Sequence, residues 1–370
     1  MSGAAAVRAE LGVRPDLVGR EPYGAPQLDV AVRLNTNENP HPPPAALVEA
    51  IAAATAQVAG GLNRYPDREA VDLRTALAGY LGHGLDSSWV WAANGSNEVL
   101  QQLMAAFGGP GRQALGFTPG YTMHRLIAEG TSTGWVAEPL EAGFTLSPAG
   151  VAAAVAAHRP HVTILGSPNN PTGGALDLDV VAAAYAAGDG LVIVDEAYAE
   201  FSGVPSALQL LPGRPRLVVT RTLSKAFALA GARVGYLAAD PGVVDALRLV
   251  RLPYHLSTLT QTAACTALGF APALLGTVAA VVAERERMVG ALTAAGHDVV
   301  ASDANFVLVA TPADQAAVWQ GLLERGVLVR DVGLAGYLRV TVGTRAEVDA
   351  FLAAFDQVVP PTSAQERQGR

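Results

Sequence analysis

Of the 25 basic side chains in this 370-residue chain, a single one is lysine, Lys225. A general preference for arginine at exposed cationic positions would give that ratio without any function. Guanidinium, however, stays protonated and cannot replace a primary amine that must lose its proton and form a Schiff base. Lys225 stands in Thr222-Leu-Ser-Lys225-Ala-Phe-Ala-Leu-Ala-Gly-Ala-Arg233, just past an apolar strand pattern. In open α/β sheets ligands sit beyond the carboxyl ends of strands, so the placement suits an active site. The hydroxyls of Thr222 and Ser224 and the guanidinium of Arg233 are the groups needed to hold a phosphate beside that amine.

Other strand ends carry further candidates. Leu191-Val-Ile-Val-Asp195-Glu-Ala-Tyr198 is an apolar run ending in a carboxylate, which can either cap a turn or keep a heterocyclic nitrogen protonated. Strict alternation puts Asp195 and Tyr198 on opposite faces, so both touch one ligand only if the backbone bends between them. Ser167-Pro-Asn169-Asn170-Pro171-Thr-Gly173 is dense in turn formers, and the Asn170 amide can donate to an oxygen on a bound ring. Asn94-Gly95-Ser96-Asn97-Glu98 lies between a strand and a helix, where its side chains can cap the helix and the free N–H groups and helix dipole can make an anion site. Tyr121 is placed to stack on a flat ring or to fill a half-buried aromatic position.

Composition bounds what these groups serve. Half of the chain is hydrophobic and 16% is charged, the balance of a folded globular protein. The net charge of −8 is a poor field for nucleic acid or an anionic membrane, so any anionic ligand needs a local cluster. Cys265 has no partner thiol, which fits a reducing, cytoplasmic setting, and packing is its ordinary role. The first twenty residues mix Arg, Glu and Asp into small apolar ones and form no signal-peptide core, and the Ala-rich apolar runs are too short to span a bilayer. The seven histidines, His158 and His161 among them, give no metal spacing. The charges of Glu284-Arg-Glu-Arg-Met288 are expected on a solvated helix face.

Positioning such residues requires a scaffold, and its pattern is legible. Residues 1–44 form an arm with an Asn- and Pro-rich end. A large domain follows over 45–241, in which VWAA, QALGF, HVTILG, LVIVD, LVVTRT and GYLAA alternate with helices. That rhythm predicts an α/β fold: a mostly parallel central sheet sandwiched by helices. From 242 to 358 longer helices (about 242–252, 257–269 and 273–295) lead into a smaller α+β domain, and 359–370 is a polar tail.

NGSNE, PGY, PNNPTG, DEAY and TLSKAFALAGARVGY, in this order and spacing, resemble the fold-type I pyridoxal-phosphate aminotransferases of class I/II. PYGAPQLDV, RLNTNENP, NRYPD, VRLPYHLSTLTQTAA, DANFVLV and YLRVTVGT narrow the resemblance to the histidinol-phosphate aminotransferase family, over about residues 20–355. The resemblance implies that Lys225 holds pyridoxal 5'-phosphate and shuttles the proton, that Asp195 pairs with the pyridine nitrogen, and that Asn170 and Tyr198 contact the ring oxygen. It implies that Tyr121 stacks on the ring and that Ser96, Asn97, Ser224 and Arg233, with Thr222 adjacent, grip its phosphate. It further implies a homodimer in which Tyr65 reaches the neighbouring subunit's cofactor.

The same resemblance assigns Arg330 and Arg339, in small-domain strands, to the anionic end of histidinol phosphate or of glutamate and 2-oxoglutarate, with Tyr23 of the arm closing over them. The implied product of histidinol phosphate is imidazole acetol phosphate, a step of histidine biosynthesis. Aromatic amino-acid aminotransferases and phosphothreonine decarboxylases share this texture and stand as alternatives. A cofactor-sensing regulator would add a DNA-binding domain, for which the arm is too short and too weakly basic.

Overall fold

Alternation of apolar side chains builds the centre of the molecule. The computed structural model describes residues 3–311 and 314–359, so all of the expected tail except Val359 lies outside the described residues. Within Leu191–Asp195, Leu191 and Ile193 pack on one face and Val192 and Val194 on the other, all buried. A strand apolar on both sides must be covered on both sides, and the chain supplies helices for each.

The strands are β1 (Val32–Arg33), β2 (Val90–Ala93), β3 (Gln113–Thr118), β4 (Gly134–Pro139), β5 (Val162–Gly166), β6 (Leu191–Asp195), β7 (Leu217–Thr222) and β8 (Gly235–Ala239). Seven of them form one sheet in the order β2-β8-β7-β6-β5-β3-β4. Only β8 runs against its neighbours, β2 and β7. One face is covered by the helices Ser96–Phe107, Thr122–Gly130 and Pro241–Arg248 through Leu100, Ile127 and Leu247. The other core gathers Leu73 and Leu77 of Val71–Leu81, Val151 and Val155 of Pro148–His158, and Val180 and Val181 of Leu178–Ala186.

Beyond these come β9 (Val299–Val300), β10 (Phe306–Ala310), β11 (Val327–Leu328), β12 (Arg330–Asp331) and β13 (Tyr337–Thr341), of which all but β11 form a second sheet. Its four strands lie in the antiparallel order β12-β13-β10-β9. The helix Arg345–Val358 packs against β1 and β11 and begins in a capping box, with Glu347 Oε2 accepting from the Thr344 N–H at 2.7 Å. β1 pairs in parallel with β11, and the Thr341 N–H donates to Leu34 O at 2.9 Å. These bonds lay the segment Asn35–Glu38 along the seam between the two sheets.

Several elements depart from the sequence pattern. The helix Val71–Leu81 is masked there by Arg74, which turns inward, 4% exposed, to donate to Val90 O and Ser87 O, each at 2.6 Å. β4 is a half-exposed edge strand ending in Pro139, so its alternation is weak. The helix expected over 242–252 stops at Arg248, where Arg248 and Arg251 both turn to the Glu69 carboxylate, at 3.0 and 2.8 Å. The arm contains a helix, Gly3–Glu10. The Glu284–Met288 face is not all solvated: Arg285 is 6% exposed and donates to Phe201 O at 3.3 Å and Ala304 O at 3.0 Å. Its long stem lets a charged residue span a helix-to-loop gap that spacing alone does not reveal.

Candidate active site

The carboxyl ends of β3, β5, β6 and β7, with the start of the helix after β2, surround a cavity of about 420 Å³. It brings together Tyr23, Ser96, Asn97, Tyr121, Asn170, Asp195, Tyr198, Thr222, Ser224, Lys225, Arg233, Arg330 and Arg339, which the sequence singles out at positions scattered from 23 to 339. Tyr65 is the exception. It is 79% exposed, lies outside this cavity and stacks on Tyr254 with ring centroids 4.4 Å apart.

Lys225 sits in the tight turn after β7, partly buried, with Nζ donating to Thr36 O at 3.1 Å. Burial, followed by the guanidinium of Arg339, brings its pKa down to about 8, against an opposing pull from Glu38. The Asp195 carboxylate closes β6 and is 6% exposed. Thr220 Oγ1 donates to its Oδ1 at 3.1 Å, and His124 Nε2 lies 2.9 Å from its Oδ2. β6 ends at Asp195 and the chain turns at once, which carries Tyr198 round to the same cavity despite the parity of its spacing. Tyr198 OH accepts from Asn37 Nδ2 at 3.1 Å and Asn170 Nδ2 at 3.3 Å. Burial raises the phenols of Tyr198 and Tyr121, so both stay protonated at neutral pH.

At one end the donors converge with no acid among them. The helix Ser96–Phe107 opens after Gly95, whose φ is +84°, and Asn97 Nδ2 lies 3.4 Å from Tyr121 OH. Thr222 Oγ1 donates to Ser224 Oγ at 3.0 Å, and Arg233 Nη1 reaches Ser224 Oγ at 3.5 Å. A Cβ on Gly95 would stand 2.5 Å from Arg233 Nη2, and one on Gly235 2.0 Å from Ser96 N. Only bare backbone at these two positions lets the strand, the guanidinium and the helix N-terminus come this close.

At the opposite end Arg339 is 7% exposed and donates to Asn170 Oδ1 at 2.7 Å and Asn35 O at 2.8 Å, while its Nε has no partner. Arg330 Nη2 donates to Gly24 O at 3.0 Å, and its guanidinium lies 5.9 Å from the Tyr23 ring centroid. The arm that carries Tyr23 is pinned to the helix Thr122–Gly130 by an ion pair of Arg20 with Glu129 and by Arg14 Nη1 donating to Gly130 O at 3.2 Å. His124 and the segment Asn35–Glu38 were missed by the sequence reading as site residues. A lone helical histidine carries no spacing signature, and the Asn-rich RLNTNENP stretch reads locally as irregular chain and carries the resemblance without marking which of its residues face the site.

Residues 29–355 match the family model described as aminotransferase class I and II. The chain belongs to that family. Histidinol-phosphate aminotransferase of Frankia casuarinae is 64% identical, covering 94% of this chain and 90% of its own length. The protein of that name from Thermobifida fusca is 59% identical, over 94% and 95%. Among solved structures, histidinol-phosphate aminotransferase from Sinorhizobium meliloti in complex with pyridoxal-5'-phosphate superposes with a TM-score of 0.81 at 26% identity, covering 97% of this chain and 94% of that one.

The donor set of this aminotransferase pocket fits that group. The Gly95–Gly235 cradle with Ser96, Ser224 and Arg233 suits a phosphate, and Asp195 suits a protonated ring nitrogen. Asn170 and Tyr198 suit a ring oxygen, and Lys225 is an amine of lowered pKa beside them. Among the described residues no cluster of His, Cys, Asp or Glu could hold a metal ion.

Proposed function

We propose that the chain transfers the amino group of histidinol phosphate to 2-oxoglutarate, giving imidazole acetol phosphate and glutamate, with pyridoxal phosphate held by Lys225. The observation that carries this is the pairing, in one cavity, of a single amine of lowered pKa with two guanidiniums at the opposite end, Arg330 and Arg339. The relatives at 64% and 59% identity support the substrate.

Bound in the pocket, pyridoxal phosphate supplies a carrier for the amino group and an electron sink for the substrate's Cα. The chain's own residues do the rest. Asp195, fixed by Thr220 and His124, holds a proton on the ring nitrogen. Lys225 takes and returns the proton at the substrate Cα, which an amine titrating near 8 can do at physiological pH. Tyr198 and Asn170 orient the ring through its oxygen, and Tyr121 covers its face. Arg330 and Arg339 receive the phosphate of one substrate and a carboxylate of the other by bidentate bonds. Tyr23, clamped through the arm, shields the pocket from water.

Assembly as a homodimer is part of the same proposal. Leu62, Tyr65, Leu249, Leu252 and Tyr254 are exposed, an apolar face suited to a second copy, from which Tyr65 reaches the neighbour's cofactor phosphate. Among the described residues no single helix is long and apolar enough to cross a membrane, and a cytoplasmic location accords with one unpaired cysteine. The boundaries proposed for the units are those of the sequence pattern, 45–241 and 242–358.

The test is 2-oxoglutarate-dependent transamination by the protein purified with pyridoxal phosphate, comparing histidinol phosphate with phenylalanine over a concentration series. Higher catalytic efficiency with histidinol phosphate supports the proposal. A preference for phenylalanine replaces it with aromatic amino-acid transamination and leaves Arg330 without its anion.

A further inference from the structure

The charges lining the cavity are unequal in number and in use. Four cations, Lys225, Arg233, Arg330 and Arg339, face two carboxylates, Asp195 and Glu38. In the function proposed above, Lys225, Arg233 and Asp195 serve the cofactor, and the two remaining guanidiniums take an anion. Glu38 is then the one acidic group left to meet the substrate.

Its place in the chain is well defined. Glu38 follows β1 on the segment that crosses the seam between the sheets. Its Oε2 accepts from Thr36 Oγ1 at 2.9 Å, and the Thr36 carbonyl takes the Lys225 amine at 3.1 Å. The backbone beneath it is fixed by Asn305 Nδ2 donating to Asn37 O at 3.1 Å and by Asn37 N–H donating to Thr341 Oγ1 at 2.9 Å. The side chain itself remains exposed at the cavity and forms no ion pair among the described residues. A carboxylate that acts on the reacting amine through its charge, with spare lone pairs and no ion pair of its own among the described residues, is suited to an N–H donor brought in by the ligand.

We propose that Glu38 determines specificity for the ring end of the substrate: its carboxylate receives an imidazole N–H, while Arg330 and Arg339 hold the phosphate. The assignment rests on the imidazole-bearing phosphate proposed as substrate. A phenyl ring offers no such donor, and a site arranged to hydrogen-bond a ring nitrogen discriminates against the analogue that lacks it.

The test separates the ring from the reaction. Dissociation constants of two unreactive ligands without an amino group, 3-(imidazol-4-yl)propyl phosphate and 3-phenylpropyl phosphate, are measured by calorimetry on the cofactor-loaded enzyme. Wild type, Glu38→Ala and Glu38→Asp are compared. Loss of a hydrogen bond to a charged group should weaken the imidazole ligand about tenfold in Glu38→Ala and leave the phenyl ligand within about twofold, with Glu38→Asp recovering part of the difference. Equal weakening of both ligands, or of neither, overturns the assignment even when wild type turns over histidinol phosphate normally. A wild type that does not turn over histidinol phosphate and binds neither ligand overturns the proposed substrate, and this assignment with it.

Discussion

Arg330 and Arg339 stand directly opposite each other across the antiparallel pair β12–β13. Like charges at facing positions destabilise a strand pair. Their present partners, Gly24 O, Asn35 O and the Asn170 amide, are all uncharged. Two guanidiniums held together on neutral acceptors make a dianion site whose occupant relieves their repulsion.

Arg339→Ala should accordingly raise KM for histidinol phosphate and for 2-oxoglutarate together. Truncating a hydrogen-bonded buried charge costs roughly 2–5 kcal/mol, so at least a tenfold rise is expected. Arg330 is more exposed, and its removal should raise both KM values less. Steady-state kinetics with each substrate varied in turn decides it, and unchanged constants would remove Arg339 from the site.

The amine of Lys225 titrates near 8, so about a tenth of it is neutral at pH 7, against roughly one part in three thousand for an ordinary lysine. Depression of the pKa favours the uncharged form, and that form grows as pH rises through 8. Cofactor-free protein should therefore take up pyridoxal phosphate faster between pH 7 and 9 and level off above. Lys225→Ala should bind the cofactor without a covalent bond and lose turnover. Borohydride reduction of the wild type should label one peptide, the one containing residue 225.

Asp195→Asn should fold normally, since Thr220 and His124 can still bond to an amide, and should lower turnover by about a hundredfold or more. His124→Phe removes the partner of Oδ2 and leaves the charge in place. A hydrogen bond to a charged group is worth about 1.5–3 kcal/mol, so a loss of roughly tenfold or more in kcat is expected. Comparing the two variants at saturating substrate separates the carboxylate from its support.

Gly235→Ala sets a methyl group 2.0 Å from Ser96 N. The strand must move, at about 1–3 kcal/mol, and the cradle it forms with the helix N-terminus widens. Weaker retention of pyridoxal phosphate on dialysis, with the affinity of the Arg330–Arg339 end preserved, is the expected result.

How much of this was legible in sequence depended on where each residue sits. Lys225, Asp195 and Asn170 stand at strand ends followed by turn formers, and period-two patterns locate such ends directly. Arg330 and Arg339 were legible as strand residues, but their facing register comes from pairing that no local pattern encodes. His124 was invisible because its role is a single bond to a residue 71 positions away. Thr36 and Glu38 reach the site through the pairing of β1 with β11 and bonds to Asn305 and Thr341, all of which span most of the chain. Tyr65 is not brought to the cavity of its own chain, and the role proposed for it depends on a second copy.

The solitary lysine lies between two buried neighbours, Ser224 and Ala226, in the turn after β7. A lysine-specific endoproteinase therefore has one bond to cut in the whole chain, and that bond is closed to it while the fold stays shut. Each cleavage event records one opening of the catalytic turn, and every cut molecule yields the same two fragments. In cofactor-free protein, with enough proteinase that cutting outpaces reclosing, digestion rate becomes a clock for the breathing of the active site, readable on a gel with no added label.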